Sequence, residues 1–136
     1  MIQVKAMEDR EEERKILEED GVEGIVLLMK DAGQPVGHAV VALEDQELQI
    51  RKLSAKGYDF TNQPQGEEVF VLDTLMRSAA SWGEDHGANR IVTTFPDFFG
   101  FFKARGFQTD EDHAFTPMET IVHMSWAAAF DWAVFS

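Results

Sequence analysis

The sequence predicts one α/β domain of the α+β kind, with a mixed, mostly antiparallel sheet flanked by helices. Its 136 residues suit a single domain over 1–136, and 44% of them are hydrophobic, enough for a core. Short β-rich apolar runs separated by turn residues fill the first half and are typical of hairpins. A later segment has apolar residues at spacings of three and four, which is typical of a helix lying on a sheet.

The first half predicts one helix and four strands. Residues 1–6 predict a short strand, and the charged segment 8–20 predicts an exposed helix that ends at Gly21. Apolar runs and alternation then predict three antiparallel strands, at 24–30, 35–43 and 47–54.

The second half predicts a long helix that Gly66 opens. Its apolar stripe consists of Val69, Leu72, Leu75, Met76, Ala79 and Ala80. A strand at 90–95, a short helix at 96–105 and a strand at 120–124 follow. We expect a parallel strand pair where the long helix crosses over.

The charge balance bears on possible partners. The net charge is −13, from 25 acidic and 12 basic residues. This balance opposes binding to nucleic acid or to an anionic membrane surface. It favours a cationic partner such as an amine, and the alternative is that acidity only maintains solubility.

Several classes of site and location are excluded or disfavoured. The chain has no cysteine, so disulfides and thiolate sites are excluded. Its four histidines show no metal-ligand spacing, so we expect no metal. No run approaches the ~18 apolar residues of a membrane span, and the first residues lack a signal peptide's apolar region. We expect a cytoplasmic protein.

Three passages, together with the order of elements, resemble the Gcn5-related N-acetyltransferase (GNAT) family over residues 20–126. Segment 47–54 is similar to the family's fourth strand, and segment 66–88 is similar to the long helix after its pyrophosphate loop. Segment 101–107, Phe-Phe-Lys-Ala-Arg-Gly-Phe, resembles the family's Phe-Tyr-x-x-x-Gly-Phe pattern.

The resemblance implies a site for acetyl-CoA. In the family, the backbone of the fourth strand pairs with the pantetheine arm, and a loop of the form Gln/Arg-x-x-Gly-x-Gly/Ala holds the diphosphate at a helix amino terminus. In this sequence Gln63 and Gly66 match that loop. The implied cofactor-binding residues are Leu53, Ser54, Ala55, Gln63, Gln65, Gly66 and Phe102.

Two carboxylates interrupt the loop pattern. Glu68 stands where the family has a small residue, and Glu67 precedes it. Carboxylates that face a diphosphate would weaken its binding unless they point away. The alternative is that they only stabilise the helix start through its dipole.

The proton-transfer groups also differ from the family pattern. Phe102 stands where many members have a tyrosine that protonates the CoA thiolate. Tyr58 is the only tyrosine and is the candidate acid, unless it is simply an exposed loop residue. Glu47 is the candidate general base, acting through a water, unless it is a solvated strand end.

Two apolar features have alternative interpretations. An aromatic cluster predicts core packing or the lining of an apolar pocket; it comprises Phe95, Phe98, Phe99, Phe101, Phe102 and Phe107. The apolar tail at 127–136 is expected to dock on its own domain or to form a subunit contact, as in a homodimer.

The resemblance implies an acetyl-CoA-dependent N-acyltransferase that acts on a small-molecule or peptide amine. One alternative is a catalytically inactive GNAT-like domain that binds a ligand, regulates or dimerises. Another is an α/β binding module unrelated to CoA, because folds host many functions.

Overall fold

The computed structural model describes residues 2–59, 64–94 and 99–122. Its elements, in chain order, are β1 (Ile2–Ala6), α1 (Arg10–Asp20), β2 (Ile25–Asp31), β3 (Gln34–Glu44), β4 (Glu47–Ala55), α2 (Glu67–Asp85), β5 (Arg90–Thr93), α3 (Phe99–Lys103), β6 (Gln108–Thr109), β7 (Ala114–Pro117) and α4 (Met118–Val122).

The seven strands form one sheet in the order β1-β2-β3-β4-β5-β7-β6. The β4–β5 pair is parallel and the other five pairs are antiparallel. The predicted mixed, mostly antiparallel sheet is therefore confirmed, including the parallel pair across the long helix.

Two tight turns set the register of the central strands. Ala32 and Gly33 have φ values of 51° and 82°, and Asp45 and Gln46 have values of 49° and 65°. Positive φ at both central residues is typical of the type I′ turn, whose twist matches that of a hairpin.

Helix α1 covers one face of the sheet. The Asp9 side chain caps it by accepting the N–H groups of Glu11 and Glu12 at 3.0 and 3.2 Å. Asp20, its last residue, lies 2.7 Å from Nε2 of His38 on β3. The helix has no buried residue, as the charged sequence predicted.

Helix α2 packs on the other face, against β3 and β4. Its fully buried residues include Leu72, Leu75 and Met76. A Cβ at Gly37 of β3 would lie only 2.7 Å from Val71 of the helix. The absence of a side chain at Gly37 therefore lets the amino-terminal half of α2 approach the sheet closely.

The predicted strand at 120–124 is wrong for the residues that the structure describes. Residues 118–122 form α4, in which Met118 and Ile121 are buried at helical spacing. The β-branched residues at 120–122 suggested a strand, but the last strands are β6 and β7. The predicted tail at 127–136 lies outside the described residues.

Candidate active site

Strand β4 extends beyond its parallel neighbour. The ladder joins Glu47–Ile50 of β4 to Arg90–Thr93 of β5 and stops there. From Arg51 to Ala55, β4 pairs only with β3 among the described residues. We call the unpaired side of segment 51–55 the β4 opening.

A bulge lies at the start of this opening. Ile50 pairs with Val41 and Lys52 pairs with Val40, so Arg51 is an extra residue in β4 relative to β3. Such a bulge bends a strand and increases its local twist. The bulge therefore coincides with the point where β4 and β5 stop pairing.

The bulge also changes which side chains face α2. Leu48 and Ile50 before it, and Leu53 and Ala55 after it, all belong to the core that α2 covers. Strict alternation would have put the second pair on the opposite face. The extra residue keeps the whole inner face of β4 apolar.

The backbone of the β4 opening presents polar groups. The Lys56 N–H donates to the Val36 carbonyl at 2.9 Å. Successive residues of an antiparallel strand direct their peptide groups to opposite sides, so those of Leu53 and Ala55 point away from β3. The Ala55 carbonyl accepts the Tyr58 N–H at 3.1 Å. The N–H groups of Leu53 and Ala55 consequently face the opening.

Helix α2 begins near the end of β4. Its N-cap residue Gly66 has φ 56° and ψ −119° and makes no side-chain capping hydrogen bond. This conformation favours glycine. A Cβ there would have nothing within 4 Å, so backbone conformation rather than space requires Gly66. The exposed Gly66 leaves the helix amino terminus open to an anion.

A cavity of about 500 Å³ adjoins this helix start on the side of α3. We call it the arginine cavity; it is lined by Gly66, Val69, Phe70, Asp73, Arg77, Ala104 and Arg105.

Asp73 holds both arginines of this cavity. Its carboxylate accepts Nε–H of Arg77 at 2.9 Å and Nε–H of Arg105 at 2.7 Å. Arg105 also donates to the Phe101 carbonyl at 3.1 Å, and its guanidinium carbon lies 3.7 Å from the centre of the Phe101 ring. Two guanidinium groups and one carboxylate leave one net positive charge in this cavity.

The two carboxylates of the loop lie on the opposite flank of α2. Glu67 and Glu68 line a separate cavity of about 460 Å³ with Asp31 and Lys56. The Glu68 carboxylate accepts the Gln65 N–H at 3.2 Å, so it supports the loop backbone. Neither glutamate lines the arginine cavity. Gln63 lies outside the described residues.

A third cavity, of about 290 Å³, lies at the bulge. We call it the bulge cavity; it is lined by Val22, Glu23, Gln49, Ile50, Arg51, Val92 and Thr94. Gln49 alternates with core residues that face α2, so the cavity is on the α1 face.

Glu47, the predicted base, lies at the start of β4, away from the bulge. Its carboxylate accepts Nε2–H of Gln49 at 3.3 Å and lies 3.9 Å from Nη1 of Arg90. The structure therefore does not bring Glu47 into the bulge cavity, although Gln49 connects the two.

Tyr58 and Phe102 are both in contact with the core. Tyr58 is half-buried and packs against it just beyond the β4 opening. Phe102 is 0% exposed, and its ring centre lies 4.8 Å from that of Phe107. The Phe102 side chain thus offers no surface to a ligand, and for this residue the structure favours core packing over pocket lining.

The other residues of the predicted aromatic cluster differ in burial. Phe107 is buried in the core and Phe101 is partly buried against it. Phe95 and Phe98 lie outside the described residues. The side chains of Leu53 and Ala55 are buried, so only their backbone can serve the opening.

Neither a metal site nor a membrane helix is found in the described part of the chain. Residues 2–59, 64–94 and 99–122 contain no group of three His, Asp or Glu side chains arranged to hold a metal ion. None of the helices in these ranges is long and apolar enough to cross a membrane.

The sequence interpretation missed four residues of the arginine cavity and the bulge cavity. Arg77 had a local signal, because Asp73 precedes it by four residues on a helix. Arg105 lies within the Phe-Phe-x-x-x-Gly-Phe passage but joins Asp73 only in the folded chain. Arg51 and Glu23 had no sequence signal that linked them.

Similar solved structures identify the fold. No protein-family model matches the sequence, and no curated protein sequence matches it. The structure is similar to N-acetylglutamate synthase from Neisseria gonorrhoeae, complexed with coenzyme A and N-acetyl-glutamate, at 13% identity and a TM-score of 0.63. That match covers 87% of this chain and 35% of the other, so the chain spans about a third of that protein.

Two further structures match over most of their own length. A GNAT family N-acetyltransferase from Escherichia coli in complex with CoA is 12% identical, with a TM-score of 0.60 over 88% of this chain and 84% of the other. An acetyltransferase from Bacillus subtilis in complex with CoA is 13% identical, with a TM-score of 0.60 over 86% and 99%. The chain therefore has the GNAT fold, as its sequence predicted.

Proposed function

We propose that the protein is an acetyl-CoA-dependent N-acyltransferase that acts on an amine. The observation that carries the proposal is the β4 opening, where the N–H groups of Leu53 and Ala55 face away from β3. A pantetheine amide could pair with such an edge as an added strand would. The similar structures that contain CoA support the same ligand.

The diphosphate would bind at the start of α2. Gly66 allows close approach, and the arginine cavity supplies Arg77 and Arg105 beside it. The sequence analysis indicated that the Glu67 and Glu68 carboxylates would weaken diphosphate binding if they faced the diphosphate. Both residues line the cavity on the other flank of the helix. The residues present therefore fit a polyanionic cosubstrate.

The amine would approach from the bulge cavity on the α1 face. An amine that arrives as an ammonium ion first loses a proton to water. Its nitrogen lone pair then attacks the thioester carbonyl carbon, forming a C–N bond, while the C–S bond breaks and its electron pair stays on sulfur. An N–H group directed at the carbonyl oxygen stabilises the charge that develops there. The nitrogen loses a proton to water and the CoA thiolate gains one.

Tyr58 is our candidate for the group that protonates the thiolate, because it follows Ala55 closely in the chain. We expect Tyr58→Phe to lower kcat by about 100-fold, the lower end for general acid–base catalysis, with little change in the Kd for acetyl-CoA. Glu47→Gln tests the proposed base in the same assay. A Tyr58→Phe enzyme with unchanged kcat would remove Tyr58 from the mechanism.

Calorimetric titration with acetyl-CoA tests the proposal as a whole. We expect micromolar binding that Gly66→Trp abolishes, because the indole would occupy the diphosphate position. Gly33→Trp is the matched control, since Gly33 also has positive φ and open space but lies in the β2–β3 turn. A wild-type protein that shows no binding at millimolar acetyl-CoA would overturn the proposal.

The second candidate is a GNAT-like domain without catalytic activity. The observation that favours it is the buried Phe102, at the position where the resemblance places a catalytic tyrosine. Acetyl-CoA binding without thiol release in the presence of a panel of amines would favour this candidate.

A further inference from the structure

We propose that the bulge cavity selects an acceptor with a positively charged aminoalkyl chain, and that the Glu23 carboxylate is the group that selects it. The inference deepens the proposed function, on which it rests, by naming the class of amine.

Arg51 is occupied by groups of the protein itself. Its Nη1 donates to the Glu23 carbonyl at 2.8 Å, and its Nε and Nη2 donate to Oε1 of Gln49 at 3.2 and 2.9 Å. Nη2 also lies 3.5 Å from the Glu44 carboxylate. Each guanidinium nitrogen thus has a partner within the protein, so Arg51 is less available to a carboxylate of the substrate than a free arginine would be.

The same bonds leave Gln49 occupied as well. Its Oε1 accepts from Arg51, and its Nε2 donates to Glu44 at 3.1 Å and to Glu47 at 3.3 Å. Most polar groups of the Arg51 and Gln49 side chains therefore form hydrogen bonds within the protein rather than with a ligand.

Glu23 differs from these two residues. Arg51 holds its backbone carbonyl, which fixes the residue at the cavity, while the side chain itself is exposed. Within residues 2–59, 64–94 and 99–122, no hydrogen bond or ion pair involves the Glu23 carboxylate. A charged ammonium group is the partner that this carboxylate would favour.

The walls and size of the cavity fit the rest of such a ligand. Val22 and Val92 line it with apolar surface, which suits a chain of methylene groups. A volume of about 290 Å³ is near the lower limit for ligand pockets. The cavity therefore suits one aminoalkyl arm, as in a free polyamine or a lysine side chain.

NMR titration of the nitrogen-15-labelled protein with spermidine tests the inference. We expect shift changes that cluster at Val22, Glu23, Gln49, Arg51 and Val92, and a two- to fivefold weaker Kd for Glu23→Gln, roughly the range of a solvent-accessible ion pair. Glu84→Gln is the matched control, because it removes the same charge from the exposed end of α2. Equal Kd values for the two variants would overturn the inference.

Two further titrations distinguish the possible ligands and test the proposed function separately. Nα-acetyl-lysine methylamide replaces spermidine to distinguish a lysine side chain from a free polyamine, and Glu23-dependent binding of either supports the inference. Acetyl-CoA titration of the same samples reports on the proposed function independently. If acetyl-CoA binds but neither amine perturbs the cavity, the selectivity inference fails while the proposed function stands.

Discussion

Asp73 places two positive side chains where a polyanion would need them. Without its carboxylate, Arg77 and Arg105 would repel each other, and with it they are held in the cavity that Gly66 also lines. Arg105 is further restrained by the Phe101 ring and carbonyl. A restrained cation loses less conformational entropy when it binds a ligand.

Arg105→Ala should therefore weaken acetyl-CoA binding by about five- to tenfold, in line with a lost charge-assisted hydrogen bond of about 1–1.4 kcal/mol. Arg90→Ala is the matched control. Like Arg105, Arg90 lies over an aromatic ring, that of Phe115 at 5.1 Å, and near a carboxylate, that of Glu47 at 3.9 Å. It differs in position, because it lies at the start of β5, beside the start of β4. Calorimetric Kd values that rise equally in both variants would contradict a phosphate-binding role for Arg105.

Asp110, directly after β6, provides a pH-dependent test. The N–H groups of Asp112 and His113 donate to its Oδ1 at 2.9 and 2.7 Å, and they lower the pKa of the Asp110 carboxyl below its usual value. A lowered pKa in the folded state gives stability that is present above the unfolded pKa and is lost as the pH falls through the folded one.

We expect the Asp110 carboxyl carbon to titrate at acidic pH, below its usual range, when followed by NMR. Asp110→Asn keeps an acceptor oxygen but cannot titrate, so its urea midpoint should depend less on pH in the acidic range than that of the wild type. A wild-type carboxyl that titrates at or above its ordinary pKa would show that these hydrogen bonds do not persist in solution.

At the scale of elements, the β3–β4 hairpin has one residue that its turn does not favour. Asp45 and Gln46 both have positive φ; Asp is common at the first position of a type I′ turn, but Gln46 stands where Gly is preferred, and Asn-Gly is a strongly preferred pair. The Gln46 carbonyl accepts the Asn89 N–H at 2.8 Å, a bond that a glycine would keep.

The double substitution Asp45→Asn with Gln46→Gly should raise the free energy of unfolding by about 1 kcal/mol, because it removes strain from the turn. Urea unfolding followed by circular dichroism measures the change. Acetyl-CoA affinity serves as the control and should stay the same, since the turn is at the opposite end of β4 from the opening. A lower midpoint would show that the Gln46 side chain contributes more than its backbone conformation costs.

The sequence predicted best those elements whose pattern depends on residues close to one another in the chain. Apolar runs predicted β2 and β3, alternation predicted β4, and spacing predicted α2, because each pattern lies within one segment. The adjacent polar residues Arg51 and Lys52 interrupt the alternation of β4 and were a local signal of its bulge. β7 lacked such a pattern, since its buried residues are Ala114 and Thr116.

The candidate site was less predictable than the fold. Gly66 was found because the loop pattern and the helix start coincide in the sequence. The contact of Arg105 with Asp73 spans 32 residues, and that of Arg51 with the Glu23 carbonyl spans 28. Whether Glu67 and Glu68 face a diphosphate depends on which flank of α2 they occupy, which only packing against the sheet decides.

At the scale of the whole molecule, the net charge of −13 repels one proposed substrate and attracts the other. Acetyl-CoA is a polyanion, and the arginine cavity offsets part of the long-range repulsion near α2. An aminoalkyl cation is attracted both by the overall field and by Glu23. The two ligands should therefore respond to salt in opposite directions.

Raising the ionic strength from about 0.01 M to about 0.1 M shortens the Debye length from about 30 Å to about 10 Å. That change screens the distant carboxylates more than the half-buried Arg105, so acetyl-CoA should bind as tightly or more tightly at the higher salt. Spermidine should bind several-fold more weakly, because its attraction comes largely from exposed charges. Paired calorimetric titrations at the two salt concentrations measure both trends on one preparation. Parallel weakening of both ligands would mean that local contacts, rather than the field of the whole molecule, control how the substrates bind.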